Sequence, residues 1–236
     1  MNLNNYFDHI YCLNLPECKE RAADTQKRCD DFGISFSFFP AISGKLFSDI
    51  HSGYSGARST RVSNPNYMAC ALGHLSIYRH ALSNSYDRIL VIEDDLLFNR
   101  NMDSILVSAK DEIPDQWDLL YLAFIPLTDD LMFWNYGIID DRFIGDKVFR
   151  AKNLWSAMAY GISADTMRWM VDRFNGSFDK ELDRVFVEEV QPRGNSFAVC
   201  PQIFAGYDNM SNNSERFDTI FVKSFDSRRA RPEDYV

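Results

Sequence analysis

The chain has 236 residues, enough for one large domain or two small ones with a real core. Its 46% hydrophobic and 25% charged residues are the balance of a globular protein. The formal charge of −9 leaves no surplus of positive potential to offset phosphates, which argues against a nucleic-acid partner.

The run His9 to Leu15 is β-branched and aromatic-rich and is stopped by Pro16, which predicts a first strand. Glu17 to Phe32 spaces apolar residues among charges and ends at Gly33, the pattern of a helix with its terminator. Ile34 to Phe39 is a second strand, so the chain opens as strand, helix, strand and points to an α/β fold. Residues 41–66 carry Gly, Ser, Asn and Thr without a period and predict a long loop. A helix is expected from Tyr67 to Leu82, with Asn64-Pro65 as its start signal. Arg88 to Leu97 reads as one strand, and its β-branched stretch Ile89–Ile92 predicts cover on both faces. Trp117 to Phe124 is the next central strand. Residues 126–147 mix polar and aromatic types and predict an insertion or lid. Strands follow at Val148–Ala151 and Ser156–Ile162, helices at Asp165–Phe174 and Lys180–Glu189, and a short strand at Phe197–Cys200.

No basic region followed by a long apolar run opens the chain, and no stretch approaches roughly eighteen apolar residues. Neither a secretory signal nor a transmembrane helix is therefore expected. Cys12, Cys18, Cys29, Cys70 and Cys200 are odd in number, widely spread, and lack the tight spacing of a zinc site. They read as reduced thiols in a cytoplasmic protein with at most peripheral contact with a membrane surface.

The chemistry concentrates at Glu93-Asp94-Asp95. Strand alternation puts Glu93 and Asp95 on one face and Asp94 on the other. Ligands of open α/β sheets bind at the carboxyl ends of strands, and three acids gathered there repel unless water or a cation compensates. Mn²⁺ or Mg²⁺ takes such hard oxygen ligands and leaves positions for phosphate oxygens. The competing reading is a solvated strand-to-helix junction whose acids serve the turn. No GxxxxGK[ST] loop and no Gly-x-Ser-x-Gly elbow is present, which argues against a P-loop ATPase and an elbow-type hydrolase.

Three ordered blocks resemble glycosyltransferase family 25, which includes bacterial lipooligosaccharide galactosyltransferases and collagen galactosyltransferase domains. They are the opening strand with the following Pro16–Arg21, the block Ala69-Cys70-Ala71-Leu72-Gly73-His74, and Ile89–Leu97 with its Glu-Asp-Asp. Weaker matches are Phe39–Gly44, Trp117–Leu120 and Tyr160–Ser163. Ala69 and Gly73 depart from the Gly and Ser that the family commonly shows there.

The resemblance implies a GT-A-like nucleotide-sugar-binding fold with a mixed, mostly parallel sheet in a single domain. A donor-binding half would span about 1–125, an acceptor-binding half about 126–210, and a polar tail 211–236. It further implies a metal-dependent inverting enzyme of glycan or lipopolysaccharide biosynthesis. A sugar, galactose first, would move from a UDP donor to a glycan, lipid-linked saccharide or protein hydroxyl, forming a β linkage.

On that reading Asp95 is the direct metal ligand, Glu93 its helper, and Asp94 reaches the ribose. Leu13, Asn14 and Leu15 face the nucleoside. Arg21 offers a fork to base or phosphate, or else pairs with a nearby acid on a surface helix. His74 orients the carboxylates or touches the diphosphate, or else is a buried packing residue.

An inverting transfer needs a general base. Asp179 and Asp183, four residues apart, would share a helix face, and Asp183 is the first choice; a helix cap for Asp179 and a surface ion pair for Asp183 are the plainer roles. Two other functions remain open: a metal-dependent nucleotidyl or phosphoryl transferase, and a non-catalytic carbohydrate-binding protein.

Overall fold

The run Ile89–Ile92 is fully covered in a computed structural model, which describes residues 2–45, 65–126, 144–175, 178–206 and 234–236. In chain order the elements are α1 (Leu3–Tyr6), β1 (His9–Asn14), α2 (Lys19–Asp31), β2 (Ser37–Pro40), α3 (Pro65–Ser83), β3 (Arg88–Glu93), β4 (Leu96–Phe98), α4 (Met102–Ala109), β5 (Leu119–Tyr121) and β6 (Ile125–Pro126). They continue as β7 (Val148–Arg150), β8 (Leu154–Trp155), β9 (Ala159–Ser163), α5 (Ala164–Arg173), α6 (Leu182–Val185), β10 (Ser196–Val199) and β11 (Phe204–Gly206).

Seven strands form one sheet in the order β2-β1-β3-β9-β5-β10-β7. Five of them point one way; β9 and β7 run against the rest. The sheet is therefore mixed and mostly parallel, as expected. Alternation along β3 sends Ile89 and Val91 into one core with Leu75, Tyr78 and Met167. Leu90 and Ile92 enter a second core with Cys29, Leu106 and Phe197. Helices α3 and α5 thus cover one face, and α2 and α4 the other, which explains why β3 reads as a continuous apolar run.

Register decides where a site can form. Leu13 pairs with Glu93, and Asn14 pairs with Pro40, so β1, β2 and β3 end level with one another. Helix α3 docks over β1 closely enough that a Cβ on Gly73 would lie 3.0 Å from Leu13 Cδ1. On the opposite face, a Cβ on Gly161 in β9 would come 2.7 Å from the ring of buried Phe7 and 3.0 Å from Trp117. Gly161→Ala is therefore expected to destabilise the protein by about 1–3 kcal/mol through overpacking, read as a lower midpoint in urea with unchanged slope.

Several expectations need correction. The predicted strand Arg88–Leu97 is two strands, because the chain bends at Asp94-Asp95 and Leu96–Phe98 leaves the main sheet to pair with β11. The predicted strand Trp117–Phe124 is cut to β5, since the amides of Leu122 and Ala123 both point at the Ala159 carbonyl, at 3.0 and 3.1 Å. The predicted helix Lys180–Glu189 starts only at Leu182 and widens into a π turn over Phe186–Val190. Asp179 lies before that helix, so it shares no helix face with Asp183.

Most of the predicted loop at 41–66, insertion at 126–147 and tail at 211–236 lies outside the described residues. The last three residues are described, and they are docked: Phe98 and Val236 exchange backbone hydrogen bonds of 2.7 and 2.9 Å, and Tyr235 is buried. No disulfide joins any of the five cysteines, all of which lie among the described residues. Among the described residues no helix is long and apolar enough to cross a membrane.

Candidate functional site

A cleft opens where β1 and β3 end. Leu13 and Leu15 line it from β1 and the turn after it, Arg21 from α2, and Asn66 and Cys70 from α3. Glu93, Asp94 and Asp95 form its acidic floor, and Ala41, Ile42 and Gly44 close a side. That side is pinned by two contacts. The Ala41 amide donates to the Asn14 carbonyl at 2.8 Å, and Gly44 sits so close to Asn66 that a Cβ there would fall 1.9 Å from Asn66 Oδ1. Only glycine permits this approach.

The three acids have different partners. Asp94 is buried; its carboxylate accepts from the Asn14 side-chain amide and lies 3.4 Å from Arg21 Nε. Thr25 Oγ1 donates to its backbone carbonyl at 3.2 Å. Glu93 turns the other way, toward α3: its Oε1 is 3.9 Å from Cys70 Sγ and 3.5 Å from His74 Nε2. Asp95 Oδ1 is buried and has no hydrogen-bond partner among the described residues. The bend, rather than strict strand alternation, brings all three to one cleft.

Burial, then mutual repulsion, pushes Asp95 up to about 7, against the pull of Arg21. Burial and Asp94 push Glu93 up to about 7 as well, although 26% of its side chain remains exposed and water screens part of that effect. Asp94 is raised by burial, opposed by Arg21 and Asn14. His74 is fully buried, and desolvation holds it down at about 3, so it is neutral; its Nδ1 is 2.7 Å from Tyr160 Oη.

A raised carboxyl pKa carries a definite sign. Unfolded Asp95 loses its proton near pH 4, whereas the folded protein keeps it to about 7. That contribution to stability is fully present below about pH 4 and is lost as pH rises through 7. Asp95→Asn removes this titration and leaves that of His74 untouched. In the presence of a chelator, the melting temperature of Asp95→Asn should rise above that of wild type between pH 4 and 8, by roughly a few degrees. A flat difference across that range would contradict a desolvated Asp95.

The sequence-selected residues therefore divide. Leu13, Leu15, Arg21, Glu93, Asp94 and Asp95 line one cleft, Asn14 fastens Asp94, and His74 lies behind Glu93. Asp183 is close enough to feel the charge of Glu93, and burial pushes it up to about 6. Asp179 is elsewhere engaged: Arg173 pairs with it at 2.9 Å, and that hydrogen bond holds its carboxyl below the usual range. It makes this outward ion pair rather than the helix cap that is its plainer expectation, since Glu181 is the N-cap residue of α6.

Two residues escape sequence reasoning. Cys70 reads in the sequence as a plain reduced thiol within the Ala69–His74 block, although its spacing of four from His74 puts both on one helix face. Glu181 is buried, with neither carboxylate oxygen partnered among the described residues. Nothing in its sequence neighbourhood marks it, because its burial follows from the late start of α6.

Comparison with known proteins now bears on this cleft. The family model for glycosyltransferase family 25 (LPS biosynthesis protein) matches residues 7–176. A "Glycosyltransferase 25 family member" of Aedes aegypti is 28% identical over 142 residues, 55% of this chain and 23% of that protein. "Procollagen galactosyltransferase 2" of Homo sapiens is 25% identical over 129 residues, 50% of this chain and 21% of that one. "Inactive glycosyltransferase 25 family member 3" of Homo sapiens is also 25% identical, over 50% of this chain and 22% of its own. This chain thus spans less than a quarter of the length of these curated relatives. A solved glycosyltransferase involved in the glycosylation of the major capsid of PBCV-1 aligns over 86% of this chain and 93% of its own, at 11% identity and a TM-score of 0.48. The matched span contains β1, β3, the acidic bend and the Cys70–His74 helix, and by that match the chain belongs to glycosyltransferase family 25.

Proposed function

We propose that this protein is a metal-dependent glycosyltransferase of GT-A type, moving a sugar from a UDP donor to a hydroxyl with inversion to a β linkage. Galactose is the first sugar to test, and a glycan, lipid-linked saccharide or protein hydroxyl the acceptor. The observation that carries this reading is Asp95 Oδ1, a buried carboxylate oxygen with no hydrogen-bond partner among the described residues, in a cleft that already holds two other acids. An all-oxygen donor set crowded to the point of raised pKa values fits a hard divalent ion such as Mn²⁺ or Mg²⁺. Asp95 and Glu93 would hold it, and its chemistry is neutralisation of the departing diphosphate.

The chain's own groups do the rest. Leu13 and Leu15 give the nucleoside an apolar wall, and Asp94, oriented by Asn14 and Arg21, faces the ribose. Arg21, which lines the cleft, would offer its fork to phosphate or base. Neutral His74 packs behind Glu93, its Nε2 3.5 Å from Oε1. Asp183 takes the proton of the acceptor hydroxyl; its partial desolvation brings its pKa toward the working range of a general base. Asp179 is the weaker candidate because Arg173 already neutralises it.

The test is a screen of UDP-sugars with manganese, read by thermal shift and by mass detection of UDP release. Manganese and the right donor should raise the melting temperature together more than either alone. No stabilisation and no donor cleavage with any UDP-sugar would sink the reading. Relatives named inactive favour one second reading, a non-catalytic sugar-nucleotide binder. It predicts the joint stabilisation without UDP release.

A further inference from the structure

Behind the acidic floor, three side chains of different chemistry converge. Cys70 Sγ, His74 Nε2 and a Glu93 oxygen all lie within 4.8 Å of one another. Glu93 Oε1 is 3.9 Å from the sulfur and 3.5 Å from the imidazole nitrogen. Bond lengths of about 2.0 Å to N or O and about 2.3 Å to S put neighbouring ligands of a tetrahedral zinc roughly 3.3–3.6 Å apart. The two spacings to Glu93 need to contract by only a few tenths of an ångström, and the sulfur and the imidazole nitrogen are at most 4.8 Å apart before a metal draws them in.

A second observation makes this more than a cluster. His74 is fully buried, yet its Nε2 has no hydrogen-bond partner among the described residues. Leaving such a nitrogen unpaired is costly in a folded core. The tautomer carrying its hydrogen on Nδ1 donates to Tyr160 Oη, 2.7 Å away, and leaves a bare lone pair on Nε2, 3.5 Å from Glu93 Oε1 and within 4.8 Å of Cys70 Sγ. Tyr160 is held in turn by Tyr78, so the imidazole is oriented from behind as metal-bound histidines are. Cys70 and Glu93 both line the cleft, so a fourth ligand could enter from that side.

We propose that Cys70, His74 and Glu93 form a binding site for a soft or borderline divalent cation, zinc in the first instance, distinct from the hard-cation site at Asp95 but sharing Glu93 with it. On binding, the Cys70 S–H bond breaks, the proton passes to solvent and a sulfur–metal bond forms; nothing is oxidised or reduced. The widely separated cysteines give no hint of this site, because two of its three ligands lie one helical turn apart and the third comes from a strand. Binding here does not depend on glycosyl transfer. Only one consequence does: with Glu93 occupied, one equivalent of zinc should suppress the joint manganese and donor stabilisation.

The experiment uses the full chain, freed of metal and titrated with Co²⁺. One equivalent should produce a thiolate-to-cobalt charge-transfer band in the near ultraviolet. Cys70→Ser, checked for fold by circular dichroism, should lose the band, and Cys18→Ser should keep it. Glu93→Gln should keep the band and weaken binding by more than roughly tenfold, the lower end of what loss of an outer partner costs. Absence of the band at one equivalent, or its survival in Cys70→Ser, overturns the proposal. As a check without mutation, one equivalent of zinc should slow alkylation of Cys70 in the wild-type protein, mapped by mass spectrometry. Unchanged alkylation also overturns it. Because these readouts concern metal alone, they can fail while the donor screen succeeds, and the reverse.

Discussion

Asp95→Ala is expected to abolish manganese-dependent sugar transfer, with a loss of about a thousandfold or more in kcat/KM. Several kcal/mol of leaving-group charge stabilisation are at stake, and each 1.36 kcal/mol is about tenfold in rate. The same change should not cost stability in the presence of a chelator. Asp95 Oδ1 has no hydrogen-bond partner to lose among the described residues, and its removal relieves repulsion from Glu93 and Asp94. The pairing of outcomes is diagnostic: activity and manganese response vanish while the chelated melting temperature holds or rises. A variant that melts lower and still responds to manganese would place the cation elsewhere.

Asp183→Asn is expected to leave donor and manganese binding intact while slowing transfer by roughly 10²–10⁴, the range for loss of a positioned general base. Burial pushes the Asp183 pKa up to about 6, with Glu181 and Glu93 adding to it and the Arg184 amide opposing it. The base works only when ionised, so the wild-type rate should fall as pH drops through about 6. In the variant that acid limb should disappear. Loss of donor binding in Asp183→Asn would remove Asp183 from the base role. Asp179→Asn serves as the comparison. Its carboxylate is 48% exposed and paired with Arg173, so its loss should cost at most about 1 kcal/mol of stability and little activity.

What could be read in advance follows the range of the forces involved. Strands β1 and β3 were legible as apolar and β-branched runs covered on both faces, and helix α3 because a buried helix face spaces apolar residues along the local sequence. Pro65 opens α3 where a proline costs least. The break at Asp94-Asp95 was not legible, since Leu96, Leu97 and Phe98 continue the apolar run. Its cause is the pairing of Phe98 with Phe204, far along the chain. The choice between Asp179 and Asp183 was equally hidden. A spacing of four means a shared face only inside a helix, and Asp179 stands outside it. The acids of the floor could be found from type and position. Their differing partners, Asn14 and Arg21 for one and Cys70 and His74 for another, arise from register and helix docking that no local pattern encodes.

The place of β9 in the sheet has a consequence for how the chain assembles. Strand β9 separates β3 from β5, and the other neighbour of β5 is β10. Both partners of β5 thus come later in sequence than β5 itself. A growing or truncated chain ending near residue 125 would carry Leu119–Tyr121 with neither edge bonded, and would leave the far side of β3 bare. Such a fragment is a template for aggregation rather than a nucleotide-binding module. The amino-terminal half holds the acids, but closure of its sheet waits on residues 159–163, so the protein should mature late and as a unit.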